Sequence, residues 1–216
     1  MKQLKTAIVS LLLMLSTAIS FPIHAQDSLD LTVNDKERMR ERVVAMVEEF
    51  SNSLSRMVNP ELSHRERTEA QNRILSLFWY KGQPYKTELD GITLYNTGIK
   101  INELNINRNS TTSSLLLTYL KLLYNPETGK SKMRYSKISV KSADVICVDN
   151  IYREGDKYVC IAYLDHDSVS YIDGRIAYRD RTRKKFKCYI TPEDSSYMKA
   201  FVVKLGDITV VSTERI

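Results

Sequence analysis

Two aspartates carry the strongest hint of chemistry in this sequence. Asp180 lies in a run whose basic residues, Arg179, Arg181, Arg183, Lys185 and Lys187, fall on alternate positions. Alternate residues of a strand share a face. Asp180 therefore belongs with Tyr178, Thr182, Phe186 and Cys188 on the opposite, more apolar face, which should turn inward. Asp144 is a similar case, between Ser142 and Ile146 on its own strand face. A carboxylate aimed at a core is costly without a partner or a role. A sheltered carboxylate is also what proton abstraction needs as a general base. The chemistry would be acid–base catalysis, with Asp180 or Asp144 as base and a tyrosine as acid. A carboxylate that anchors a helix end or sits at an open rim gives the same pattern, and the sequence favours that plainer reading. If there is a ligand site, its candidates are Tyr178, Asp180, Thr182, His166 and Trp79, the last at a pocket mouth beside Phe78 and Tyr80. An aromatic cluster of that kind is more often core.

Other chemistries find less support. Asp165-His166-Asp167 has metal-binding residue types, but alternation sends the aspartates to one face and His166 to the other. There is no G-x-S-x-G elbow, C-x-x-C pair, H-E-x-x-H helix or Gly-rich phosphate loop. No metal and no cofactor is expected.

The elements that must position these residues fall in a simple order. Asn34 with Glu37 suggests a capping box. The stripe Met39, Val43, Met46, Val47, Phe50, Leu54 and Met57 then predicts an amphipathic helix ending at Asn59-Pro60. Ser63 and Glu66 form a cleaner box for a second helix, with Ala70, Ile74, Leu77 and Phe78 inward and Gly82 and Pro84 as stops. Asp90-Gly91 marks a hairpin between Tyr85–Leu89 and Ile92–Tyr95. Thr97 to Thr112 is polar and assigns to nothing. It includes Asn109-Ser110-Thr111, a glycosylation sequon that matters only in a eukaryotic secretory route. Ser114 to Tyr124, rich in leucine, predicts a third and well-buried helix. Long strands follow at Lys137–Val148, Tyr158–Leu164, Arg175–Ile190 and Met198–Val211, with a bulge or bend at Gly206-Asp207.

Register can be read further. A two-residue turn at Asp173-Gly174 makes paired positions sum to 347. One bulge near Asp165–Ser170, between the matched pairs and the turn, shifts the sum to 348. Cys160 then faces Cys188, Ala162 faces Phe186, Asp165 meets Arg183 and Asp167 meets Arg181. Apolar meets apolar and acid meets base, so the shifted register is preferred. The basic stripe is then partly neutralised by its own sheet, which favours a solvated face over a platform for an anionic polymer or an acidic partner. The same register makes Cys160–Cys188 the best disulfide candidate, although directly opposed β-carbons are a little wide for one. Two small buried thiols fit equally well. Cys147 reads as a buried thiol with no activating neighbour.

Residues 1–25 read as a cleaved signal peptide. Lys2 and Lys5 precede the apolar run Ala7–Ile19, and the cut falls after Ala25. The run is too short to span a bilayer, and no later segment suits a membrane span. Cleavage takes two lysines and no acid, lowering the formal charge from +6 to +4. That charge and an exported location argue against nucleic acid. The chain is thus expected to be periplasmic or extracellular, with 26–33 an exposed segment and 34–216 one domain. The 13 tyrosines suit a half-buried sheet.

Helix, helix, hairpin, helix and four long antiparallel strands together resemble the NTF2-like (cystatin-like) superfamily. The resemblance spans residues 34–213 and rests on element order and length. It implies an α+β domain, with N-terminal helices packed on a curved antiparallel four-stranded sheet as a cone, often with a pocket between them. By analogy it also implies pairing of two copies through the open face of the sheet. Because the superfamily hosts enzymes and binding modules alike, fold does not choose among functions. The expectation is an exported binding or assembly domain whose partner is an envelope protein, a glycan or a small molecule. The alternative is an isomerase or dehydratase of ketosteroid-isomerase type. A secreted protease inhibitor of cystatin type is disfavoured, because the Gln-Val-x-Val-Gly-like hairpin is missing.

Overall fold

Helix α1 (Val33–Val58) starts where Thr32 and Asp35 cap each other, Thr32 Oγ1 accepting from Asp35 N and Asp35 Oδ2 accepting from Thr32 N, both at 3.1 Å. This is a capping box two residues before the expected one, because Asp35 at the third helical position can reach back and Glu37 cannot. These details come from a computed structural model that describes residues 31–89, 92–105, 110–132, 137–155, 157–193 and 200–216. The expected signal peptide, the Asp90-Gly91 turn and Asn109 of the sequon lie outside those residues.

Helix α2 (His64–Leu77) carries the box expected at Ser63 and Glu66, with Ser63 N donating to Glu66 Oε2 at 2.9 Å. Strands β1 (Tyr85–Leu89) and β2 (Ile92–Asn96) form the separate hairpin. The polar stretch left unassigned becomes β3 (Lys100–Asn105) and β4 (Ser110–Leu115). The third helix, α3 (Leu116–Leu123), is correspondingly shorter than expected. Of its leucines, Leu116, Leu120 and Leu123 are buried, but Leu122 is exposed, so the helix is amphipathic rather than enclosed. Strands β5 (Lys137–Glu154), β6 (Lys157–Ile172), β7 (Arg175–Glu193) and β8 (Ala200–Arg215) complete the sheet.

The sheet therefore has six strands in the order β4-β3-β8-β7-β6-β5, not four. β3 joins β8 in parallel, and Lys100 N donates to Asp207 Oδ1 at 2.8 Å where it docks. Between β6 and β7, Cys160 faces Cys188, Ala162 faces Phe186, Asp165 faces Arg183 and Asp167 faces Arg181. The shift to the tighter register falls between Ser170 and Tyr171, between these pairs and the turn, as the charge pattern requires. A second irregularity, opposite Phe186 and Cys188, is the bend expected at Gly206-Asp207. A β-carbon at Gly206 would come within 2.6 Å of the Tyr189 ring, so a side chain is excluded there.

The core lies between α1, α2 and the inner sheet face. Phe50 packs edge-on against Phe78 at 5.8 Å and against Phe186 at 5.3 Å. Met39, Val43, Val47, Leu54, Met57, Ala70, Ile74 and Leu77 cover them from the helices, all buried as the stripes require. Met46 is the exception and is half-buried. These residues form one α+β unit from Thr32 to Ile216, the architecture anticipated from the element order.

Candidate active site

The inner face of β7 changes character along its length. Ile190, Cys188 and Phe186 are buried apolar residues, followed by buried Lys184 and Thr182, then half-buried Asp180 and Tyr178. Outward-facing Arg179, Arg181 and Arg183 are exposed, and Lys185 and Lys187 are half-buried. Alternation thus holds over the whole strand. One end of the inner face is filled by the phenylalanine cluster. The other end carries charge.

Lys184 is the centre of that charged end. It is only 6% exposed. No hydrogen bond or ion pair holds its ammonium among the described residues. Burial pulls its pKa from 10.5 down to about 8, against the opposing pull of Glu103 and Asp180. A register irregularity between β7 and β8 falls at Arg183/Lys184, opposite Ser212 and Val210. Bulges of this kind re-aim side chains and are frequent beside functional sites.

Glu103, Asp180 and His166 interact electrostatically with Lys184, and Tyr119 interacts with Glu103 and Asp180. Glu103, on β3, has the parity of buried Ile101 and so faces inward; burial raises its carboxyl above the ordinary value, with Lys184 opposing. Asp180 is raised by burial too, offset by a hydrogen bond from Ser168 Oγ and by Lys184 and Tyr178. His166, on β6, is 5% exposed and its Nδ1 is buried without a hydrogen-bond partner. Burial, with help from Lys184, lowers its pKa to about 3, so it is neutral at any physiological pH. Tyr119 of α3 has its hydroxyl pushed up by burial and by the fields of Glu103 and Asp180, so it stays a proton donor. Asp180, Glu103 and Tyr119 are half-buried residues, while the side chains of His166 and Lys184 are buried. The arrangement combines half-buried groups that can exchange protons with a buried lysine and a neutral imidazole.

The structure thus brings together Asp180, Tyr178, Thr182 and His166 from the sequence candidates. Thr182 Oγ1 meets Thr213 Oγ1 at 3.4 Å. Asp144 pairs with Asp165 through the backbone, and its side chain lies outside the described residues. Trp79 is not in the cluster. It packs on Tyr189 at 5.7 Å, with Lys157 Nζ 5.3 Å from its ring, on the side of β7 opposite Cys188 and Ile190. The reason is the short turn Trp79–Gly82 after α2, whose Tyr80 and Lys81 take φ of 47° and 53° and swing the chain outward.

Three members were missed from the sequence. Lys184 sits at an even position in the same alternation that located Asp180, so parity alone could have found it. Glu103 lay in the unassigned stretch. Tyr119 was hidden among the leucines of α3.

Outside the cluster, Arg181 Nε donates to Asp167 Oδ1 at 2.8 Å and Arg183 Nε to Asp165 Oδ1 at 2.7 Å. The Arg183 guanidinium beside Asp165 holds that carboxyl below the ordinary range. Lys187 Nζ pairs with Glu154 at 2.7 Å. Three of the five stripe members, Arg181, Arg183 and Lys187, are thus paired with carboxylates. The bridge considered for Cys160 and Cys188 is not formed: Cys188 is a buried thiol whose Sγ donates to Phe186 O at 3.8 Å. A separate groove of about 590 Å³ lies between α1, α2 and β8, lined by Arg42, Met46, Arg73, Leu77, Val202 and Lys204 among others.

No protein-family model matches this chain, and no curated protein matches it. Among solved structures it is similar to a scytalone dehydratase-like protein from Novosphingobium aromaticivorans, at 9% identity and a TM-score of 0.42 over 85% of this chain and 91% of that one. It is similar to the beta subunit of benzoate 1,2-dioxygenase from Burkholderia mallei, at 11% identity and 0.38 over 83% and 89%. It is also similar to a type 3 hexachlorocyclohexane dehydrochlorinase from Novosphingobium barchaimii, at 11% and 0.37 over 84% and 94%. At these values none of them transfers a residue, a substrate or an activity. What the coordinates themselves establish is an α+β domain in which, among the described residues, three α-helices accompany a six-stranded sheet.

Proposed function

We propose that the charged end of the inner sheet face is an acid–base site for a small carbonyl compound, removing a proton from the carbon next to the carbonyl as an isomerase or dehydratase does. Asp180 is the base. It is half-buried, and burial raises its carboxyl above the ordinary value. Tyr119, held protonated, is the donor to the carbonyl oxygen. The single observation that carries the reading is a half-buried carboxylate on the same inner strand face as the buried side chain of Lys184, with a buried neutral imidazole on the neighbouring strand. Neighbouring titratable groups whose surroundings push them apart are the usual mark of acid–base assignments. This reading displaces binding or assembly as the main function, because the phenylalanine cluster fills only one end of the inner face.

The test is deuterium uptake from D2O into cyclohexanone, followed by proton NMR. Wild type should accelerate uptake at the α-carbon, and Asp180→Asn should lose roughly 100-fold or more of that acceleration, the scale of a general base. Equal rates for wild type, Asp180→Asn and buffer would overturn the proposal. Export of the chain is part of the same reading, supported by Lys2, Lys5 and the apolar run before Ala25. N-terminal sequencing of the exported product should begin at Gln26.

A further inference from the structure

We propose that the groove between α1, α2 and β8 binds an amphipathic carboxylate, its apolar body along the groove and its negative head attracted by Arg42 and Lys204. This site is separate from the acid–base cluster and does not depend on it. Its strand residues Val202, Val203 and Lys204 pair with Thr191, Ile190 and Tyr189 of β7, whereas Asp180 pairs with Arg215. Tyr189 and Asp180 are nine positions apart on that strand, about 30 Å at the rise of an extended chain.

Three elements build the groove. Arg42, Ala45, Met46 and Glu49 follow the i, i+3, i+4, i+7 spacing of one helix face on α1. Arg73, Ser76 and Leu77 share a face of α2 in the same way. Val202 and Val203 of β8 line the space with them. Its volume, about 590 Å³, falls within the range of small-ligand sites, roughly 300–1,000 Å³. Met46 belongs to the apolar stripe of α1 yet is only half-buried, because it lines this groove.

Charge selects the ligand. Among the described residues, three cations line the groove against one carboxylate, that of Glu49, which leaves the lining with a formal charge of +2. Glu49 is already engaged: its Oε1 accepts from Arg73 Nε at 2.8 Å and from Ser53 Oγ at 3.3 Å. Arg42 and Lys204 are held by neutral carbonyls instead. Arg42 Nη1 donates to Phe201 O at 3.1 Å, and Lys204 Nζ donates to Ser76 O at 2.7 Å. A carbonyl fixes the position of a cation without cancelling its charge, and each side chain keeps further N–H groups to donate. Such a groove favours a carboxylate on a hydrocarbon body over a cationic amphiphile. An inorganic anion alone would leave Met46 and the valines uncovered.

The probe is octanoate, added to the full chain at pH 7 in low salt and below its micellar concentration. Calorimetry measures affinity, and the Met46 methyl resonance, assigned with Met46→Leu, reports the place. Octanoate should bind saturably, one per chain, and shift that methyl. Octyltrimethylammonium, with the same chain and the opposite charge, should bind at least ten-fold more weakly. Arg42→Gln and Lys204→Gln should each weaken octanoate about three- to five-fold, the upper range for an exposed ion pair. Lys204 also holds a terminal carbonyl of α2, so its variant can loosen that helix end. Ala45→Trp, at an exposed position of α1, fills the groove without altering a charge and should abolish binding. Equal affinity for the two amphiphiles, an unmoved Met46 methyl, or no saturable heat from wild type would each overturn the proposal. Octanoate binding weakened by Lys184→Met and untouched by Arg42→Gln would overturn it too, by placing the anion at the other end of β7.

Discussion

Replacing Lys184 with methionine should make the protein more stable, and the gain should vanish in alkali. The side chains are similar in length, and volume-conserving core changes are well tolerated. What changes is the charge. Folding lowers the lysine pKa from 10.5 to about 8, and that shift corresponds to about 3 kcal/mol. The sign follows from proton binding. Between pH 8 and 10.5 the unfolded chain holds a proton that the folded chain has released, so stability rises with pH there. Below pH 8 the cost is fully present, and above 10.5 it is gone. Lys184→Met should therefore gain up to about 3 kcal/mol at pH 7, with the melting point rising by about 6–12 °C for a domain of this size. Glu103 and Asp180 lose their nearby cation in the variant, which trims the gain. Urea denaturation of both proteins at pH 7 and pH 10.5 measures it. A variant less stable than wild type at pH 7, or a difference that does not change with pH, would show that Lys184 is well paired and that the electrostatic argument is wrong.

Other outcomes follow from the same contacts. Phe186→Ala removes the ring that Phe50 meets at 5.3 Å and should cost about 3–5 kcal/mol in urea denaturation. Gly98→Ala should destabilise by about 1–3 kcal/mol in the same assay, because φ is +110° and a β-carbon would lie 2.6 Å from Gly82 O. His166, lowered from 6.5 to about 3, protonates in the unfolded chain first, so stability falls as pH drops below 6.5; by pH 5 the loss is about 2 kcal/mol, absent in His166→Gln. Heparin resin should release the protein below 0.15 M salt, because Asp165, Asp167 and Glu154 occupy Arg183, Arg181 and Lys187; retention well above that salt would restore the stripe as a polyanion site.

How much of this was legible depended on periodicity. Where one face is apolar and the other charged, a strand announces its register, and the Cys160–Cys188 and Asp165–Arg183 pairs followed from that alone. The third helix and the two extra strands were harder. Residues Lys100–Asn105 and Ser110–Leu115 sit at the sheet edge, where a strand needs little apolar surface and its sequence resembles a loop. Glu103 was lost with them. Asp180 was visible because an acid on an apolar face is conspicuous. Lys184 was not, because it stands beside Lys185 in a basic run, and only its even position separates floor from surface. Whether Trp79 faced the cluster turned on two left-handed residues, Tyr80 and Lys81, that no glycine advertised.

Everything proposed for the acid–base site depends on one lysine side chain, that of Lys184, being buried. Nitrogen-15 labelling of the lysines, with Lys184→Met for assignment, allows its titration to be followed by NMR. The Lys184 Nζ resonance should titrate near pH 8, well below the value of about 10.4 for a free lysine side chain. If Lys184 instead titrates like a free lysine side chain, the cluster is solvated and the base has no sheltered place to work.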